Sequence, residues 1–481
     1  MKSKEKKNSY CINLIITAII IFSANLWPSC GVITEYGSTI CGIFIGVIYG
    51  YCTLGMIVPS FMALLALGFS GYASVPEIMK MSFGDSTVLY IMSILILSAM
   101  LEQSGLSEKI VHWLISRKFI KGRPWLLSFM FLLAAYVVAL FVNSIPSTII
   151  CWALLFDLFP TLGYKGGDKW PIMMIFGVLY TSTLGGCVPS YQISIASNFG
   201  LLGVVSQGAF ALAPLQYMMW AFCCSAILFA GYMLLARYVI RPDMTLLQNA
   251  DFSWERNNSL SREQKFVAVL FVVFIAGLIL PFVLPESWWI KSVLDNMSSC
   301  GWGLLVVLLA ISIKIRGEAF FEFGSIFSKG VIWDIVLMIA TIYTLVGAIT
   351  DEATGVSQLI ISFVAPWRDM MGDVVFLVLV TLLYSLIANL TNTVAASFIF
   401  IPMVYVLTAG TIYAYIFTAM TVFISNVSFL MPSATVNAAM MYNQKEWMPF
   451  KTCLLLALFA LISVYVVMIV IGVPLGNIIF S

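Results

Sequence analysis

Four short runs of Asn, Ser, Thr, Gly and Pro interrupt otherwise apolar stretches of this chain. They are Asn143-Ser144-Ile145-Pro146-Ser147-Thr148, Gly185-Gly186-Cys187-Val188-Pro189-Ser190, Asn389-Leu390-Thr391-Asn392-Thr393 and Met431-Pro432-Ser433-Ala434-Thr435-Val436-Asn437. Proline removes a backbone donor and frees a carbonyl one turn earlier, and glycine permits an unwound backbone. Freed carbonyls beside Asn, Ser and Thr oxygens suit a desolvated monovalent cation, while a helix that restarts at such a break presents N–H groups suited to a carboxylate. A single Ser or Thr in an apolar helix usually bonds back to its own backbone. Four polar breaks, paired by an internal repeat, form a different pattern.

The elements that must position these runs follow from composition. Of 481 residues, 61% (about 293) are apolar and only 10% are charged, against roughly 25% charged in a soluble domain. At about 20 residues per crossing, the apolar content caps the number of spans near 14. Spanning segments are expected at 11–27, 37–53, 56–70, 86–102, 210–236, 266–284, 300–313, 331–350 and 452–472, with two broken spans at 171–205 and 411–441. That makes eleven. Two further apolar pairs, 124–162 and 372–408, bend at their polar centres and read as re-entrant hairpins, which a bilayer accepts only when they are buried in protein.

Charge placement fixes an expected orientation. Threading eleven spans from an internal N-terminus leaves 21 of the 24 Lys and Arg residues inside and only Lys80, Lys291 and Arg368 outside, as the positive-inside rule requires. The C-terminus is then external. The four lysines before the first apolar run, with no small-residue cleavage pattern after it, read as a retained first span. Residues 104–114, SGLSEKIVHWL, match 354–364, TGVSQLIISFV, at a shift of 250. Two later blocks, 139–147 over 385–393 and 182–191 over 428–437, match at 246. The copies fall on opposite sides of the membrane, so the repeats are inverted. The halves are expected at 1–240 and 265–481, joined by a cytoplasmic linker at 241–264.

Other chemistry is poorly represented. No Asp, Glu, Lys or Arg lies near the centre of a span; Glu102, Asp157 and Asp334 are close to ends. An intramembrane carboxylate would mark a proton relay, and neutral oxygens and dipoles fit an anion carried with cations. The ten cysteines contain no CxxC, and His112 is the one histidine. There is no nucleophile elbow, phosphate-binding glycine loop or metal motif, so neither an enzyme nor an organic cofactor is expected. A net charge of +2 gives no case for nucleic acid.

The Thr391-Asn392-Thr393 triplet with Pro402 resembles the Ser-Asn-Thr hairpin signature of the divalent anion:sodium symporters, the dicarboxylate, citrate and sulfate carriers of the ion transporter superfamily. Leu430 to Asn437 is similar to that family's LPxATPPN segment, Gly185-Gly186 to the start of its first-half counterpart, and SGLSEKIVHWL to its interfacial helix. The resemblance implies an all-α polytopic membrane protein of two inverted repeats, working as an elevator-type homodimer. It implies that Asn392 and Thr393 hold substrate, and that Thr391, Asn392, Ala434 and Thr435 line a sodium site. In the first half, Asn143-Ser144-Ile145 or Pro146-Ser147-Thr148 stands where the triplet is expected. The resulting expectation is a substrate set of Ser144, Ser147, Thr148, Ser190, Asn392, Thr393 and Thr435, with sodium ligands Asn143, Gly186, Thr391, Asn392 and Ala434. The function expected is Na+-driven movement of a small di- or tricarboxylate across the inner (plasma) membrane, in contact with lipid. The alternative is a proton-coupled or exchange-type organic anion carrier.

Overall fold

The computed structural model describes residues 2–29, 31–116, 120, 122–209, 212–248, 259–315, 318–319, 323–390, 393–409 and 411–480. Most of these are helical, since a backbone in hydrocarbon must satisfy its hydrogen bonds within its own segment. The first half runs α1 (Lys2–Ser23), α2 (Glu35–Thr53), α3 (Ile57–Phe69), α4 (Val75–Phe83), α5 (Ser86–Gln103) and α6 (Leu106–Ile115). The first hairpin follows as α7 (Pro124–Phe141) and α8 (Ser144–Thr161), then α9 (Lys169–Gly186), α10 (Ile193–Val205) and α11 (Pro214–Leu235), which ends in a π turn over Ala236–Ile240. After the short α12 (Thr245–Gln248), the second half contains α13 (Arg262–Val283), α14 (Trp289–Ser312), α15 (Phe323–Gly330), α16 (Trp333–Thr350) and α17 (Val356–Met371). The second hairpin is α18 (Asp373–Leu390) and α19 (Thr393–Thr408), followed by α20 (Tyr413–Asn426), α21 (Val436–Tyr442), α22 (Phe450–Val467) and α23 (Val473–Ile479).

Both long interrupted segments break where their polar runs stand. α9 and α10 are separated by 187–192, and α20 and α21 by 427–435. Among the described residues eleven helices are long and apolar enough to cross a membrane, equal to the number expected, but the membership differs. Pro124–Phe141, Ser144–Thr161 and Asp373–Leu390, all hairpin arms, are among the eleven, whereas Ile57–Phe69, Ile193–Val205 and Ala396–Thr408 are shorter. An 18-residue arm extends about 27 Å, so each hairpin tip reaches deep into the protein.

The repeat appears in the backbone. α6 and α17 each begin at a left-handed glycine, Gly105 (φ 65°) and Gly355 (φ 72°), at the shift of 250 read from sequence. The constant shift of 246 does not hold further on. The hairpins restart at Ser144 and Thr393, a shift of 249; α9 and α20 end only 240 apart, and the second break, three residues longer than the first, brings the starts of α10 and α21 to 243. By this register Asn143-Ser144 is the sequence counterpart of Asn392-Thr393.

Loops that the charge pattern groups on one side meet in space. At one end Thr34 Oγ1 donates to Ala353 O at 2.8 Å. At the other, Gln264 Nε2 donates to Ser104 O at 3.1 Å and Gly167 N–H to Trp447 O at 3.1 Å. Helix packing relies on close approach: a Cβ on Gly185 would lie 2.3 Å from Tyr136 O, so α9 can sit against α7 at this point only with glycine there.

Candidate functional site

A cavity of about 350 Å³ lies where the two hairpin tips and the two breaks converge, within the size range of small-molecule sites. The N-terminal ends of α8, α10, α19 and α21 border it through Ser144, Ile193, Thr393 and Val436, and the C-terminal ends of α9 and α20 through Gly186 and Asn426. No acidic, basic or other titratable side chain lines it among the described residues.

Its polar groups are distributed unevenly. Hairpins and broken helices supply Asn, Ser, Thr and Gln side chains, while the facing wall of Met56 and, on and just before α16, Ile332, Ile335, Met338 and Ile339 is wholly apolar. The polar groups at the cavity therefore come from the hairpins and broken helices, while α16 contributes apolar side chains there and reaches α10 through Tyr343 Oη, which donates to Ser197 O at 2.5 Å.

The breaks are clipped to the hairpins. Tyr191 Oη donates to Leu140 O at 2.5 Å and Gln192 Nε2 to Ala139 O at 3.0 Å, tying the first break to the end of α7. In the second half Asn389 accepts from Leu430 N–H at 3.1 Å and donates to Ser385 O and Ser428 Oγ at 2.8 and 3.3 Å. Thr393 donates through both its N–H and its Oγ1 to Ala434 O at 3.3 Å. Thr435 caps α21, accepting from Ala438 N–H at 3.1 Å while donating to Ser428 O at 2.9 Å.

The two halves also bond to each other here. Asn437 Nδ2 donates to Ser144 Oγ at 3.1 Å and to Thr183 Oγ1 at 3.0 Å, and Ser194 Oγ donates to Asn426 Oδ1 at 2.6 Å.

Of the residues expected from sequence, Asn143, Ser144, Gly186, Thr393, Ala434 and Thr435 border the cavity. Thr391 and Asn392 lie outside the described residues. Ser147, Thr148 and Ser190 do not line this cavity. Ser147 is turned onto α7 and donates to Ala135 O at 2.7 Å, Thr148 bonds back to Ser144 O at 2.8 Å, and Ser190 faces Met218 Sδ at 3.5 Å. The bend of the first hairpin is Val142-Asn143, and the polar residues after it form the first turns of α8. Sequence reasoning missed Thr183, Gln192, Asn426 and Asn437 as lining residues, and also Ser194, Ser197 and Asn198. The last three had a signal: spacing i, i+3, i+4 puts a polar stripe on one face of an apolar helix.

An all-helical membrane protein with paired hairpins, paired broken helices and a dipole-lined cavity at their junction is a membrane transporter of the inverted-repeat class. The chain matches the profile of the family described as "Citrate transporter" over residues 43–457 and belongs to that family, one of transporters and not of enzymes. No curated protein sequence matches it significantly. Among the solved structures that match is the YdaH transporter of Alcanivorax borkumensis, described as having an unusual topology. It is 16% identical, with a TM-score of 0.57, covering 83% of this chain and 86% of that one. That likeness extends to the fold.

Proposed function

We propose that the protein is a secondary active carrier that moves a citrate-like di- or tricarboxylate through the plasma membrane together with Na+, by an elevator motion. The observation that carries this reading is a cavity bordered by four helix N-termini and lacking any charged side chain among the described residues. Helix N-termini attract carboxylates, and the remaining negative charge has to be met by cations that enter with the substrate. The C-terminal ends of α9 and α20, with Asn143, Gly186 and Ala434 nearby, are the oxygen-rich places for them.

The apolar wall from Met56 to Ile339 supports the elevator, since a polar body sliding along it would have few hydrogen bonds to break; the bond from Tyr343 Oη on α16 to Ser197 O on α10, at 2.5 Å, is one that must release. Met56 and Ile332 stand at ends that the charge pattern puts inside, so the cavity in this state faces the cytoplasm, with the N-terminus inside and the C-terminus outside. The working unit in this reading is a homodimer. Val142 in place of the second half's Thr391 leaves the first hairpin one hydroxyl poorer, which favours the proton-coupled or exchange alternative.

The test is uptake of labelled citrate, malate, succinate and sulfate into proteoliposomes, with Na+ and proton gradients imposed separately. Citrate uptake accelerated by inward Na+ and abolished in Thr393→Ala is expected. Uptake indifferent to Na+ overturns the coupling, and uptake of none of the four overturns the substrate reading.

A further inference from the structure

An anion in a cavity without cationic side chains depends on hydrogen-bond donors, and most of those around this cavity are already committed. Among the described residues, every Ser and Thr hydroxyl lining it spends its single proton on an acceptor within the protein; Ser397 donates to Thr393 O at 2.8 Å and Ser197 to Ser194 O at 2.9 Å. Asn426 and Asn437 each commit both Nδ2 protons, and Gln192 donates to Ala139 O at 3.0 Å. Two lining carboxamides have an Nδ2 that donates to no described residue. One is Asn143 at the first hairpin tip, whose Oδ1 accepts from Ser144 and Ile145. The other is Asn198, on α10 and away from both tips.

Asn198 is 3% exposed, and neither its Nδ2 nor its Oδ1 bonds to any described residue. Neither atom is sealed, in contrast to Asn437 Oδ1, which is buried without a partner. The surface that Asn198 keeps is therefore its amide, open to the cavity that the residue lines. An unpaired amide in so enclosed a position is costly to the empty protein, and a ligand that bonds it offsets that cost. Asn198 stands about 7.5 Å along α10 from Ile193, beyond the helix ends that draw a carboxylate. Resting on the carboxylate-carrier reading above, we propose that Asn198 is a substrate-binding residue whose Nδ2 donates to a second carboxylate of a di- or tricarboxylate, the first being held at the hairpin tips. Because Asn198 holds no other described group, replacing it strands no partner within the protein.

The test pairs thermal unfolding of the full-length protein with uptake of labelled citrate into proteoliposomes, for Asn198→Leu, Asn198→Ala and Asn198→Asp. Without citrate, Asn198→Leu, close to Asn in size, is expected to unfold at the native temperature or above it, because an unpaired amide has been removed and no bond lost. Its citrate concentration for half-maximal uptake is expected to rise about tenfold or more, the loss of a hydrogen bond to a charged group, and citrate raises its unfolding temperature less than that of the native protein. Asn198→Asp keeps the shape but offers only acceptors to an anion, and loses citrate uptake. An unchanged citrate dependence in both Asn198→Leu and Asn198→Ala overturns the proposal and leaves the carrier reading intact. So does a drop of several degrees in both variants without citrate, which marks a structural role. Uptake retained by Asn198→Asp at a lower Na+ requirement makes Oδ1 a cation ligand and overturns it too. No uptake of any carboxylate by the native protein overturns both readings.

Discussion

Substituting Gly185 tests whether the site depends on the spacing of two helices. A Cβ at this position lies 2.3 Å from the backbone oxygen of Tyr136 and 3.1 Å from the Ala139 Cβ, whereas real Cβ atoms essentially never approach closer than 3.0 Å. In Gly185→Ala the α7 and α9 backbones must therefore separate by at least about 0.7 Å, since the first obstacle is main chain and cannot swing aside. Overpacking of this kind costs about 1–3 kcal/mol, small enough for the protein to fold. The displacement falls at the site, because Gly186 and Thr183 border the cavity and Tyr191 and Gln192 clip the same break to the end of α7. Geometric errors near 1 Å cost on the order of 100-fold in positioned chemistry; here, citrate uptake is expected to fall at least tenfold, with thermal unfolding lowered by a few degrees. Gly203→Ala, on α10 with nothing within 4 Å of the added carbon, serves as the comparison and leaves both readings unchanged. Uptake by Gly185→Ala equal to that of Gly203→Ala refutes the idea that α7–α9 spacing sets the geometry of the first break.

Two further predictions use the second break and the missing charges. Asn389→Ala strands the Leu430 N–H and removes two donated bonds, costing on the order of 3 kcal/mol; a lower unfolding temperature and loss of uptake are expected, and an unchanged protein would show that Asn389 does not hold the break. Because no titratable side chain borders the cavity among the described residues, uptake plotted against the concentration of one ionised form of the substrate is expected to stay flat from about pH 6 to 8, where His would otherwise titrate. A residual sigmoid in that plot would reveal a titrating group in the transport path.

Sequence alone revealed the architecture because its determinants are local. Prolines and glycines mark the breaks, charge excluded from hydrocarbon marks the ends, and the Gly105 and Gly355 starts of α6 and α17 recur at the shift that the aligned blocks predict. Site membership was only partly legible, since it depends on which way a hydroxyl turns once helices pack. Ser144 and Ser147 are one turn apart on α8, yet Ser147 spends its proton on Ala135 O while Ser144 faces the cavity. Asn437 could be placed in a polar run, but its bonds to Ser144 and Thr183 span 293 and 254 residues and have no trace in local spacing. The shift of 246 between the later blocks failed because element lengths differ between the halves: α20 is four residues shorter than α9, and the second break three residues longer than the first.

The absence of charge around the cavity bears on how a carrier can return empty. An arginine would hold a carboxylate firmly, but would have to cross the membrane as an unpaired charge on the return stroke, at several kcal/mol in a low-dielectric path. Helix ends contribute roughly half a charge each, a partial charge whose free N–H groups water or capping side chains can satisfy when the site is empty. The four N-termini at this cavity, opposed by the C-termini of α9 and α20, therefore sum to at most about one positive charge. That suffices to attract an anion and leaves little to penalise the empty state. It also falls short of neutralising a di- or trianion by about one or two charges, so the loaded form approaches neutrality only when one or two monovalent cations enter with the substrate. In the proposed reading, cation coupling would follow from the charge that the helix ends do not supply, and the same shortfall would make either ion bind weakly without the other.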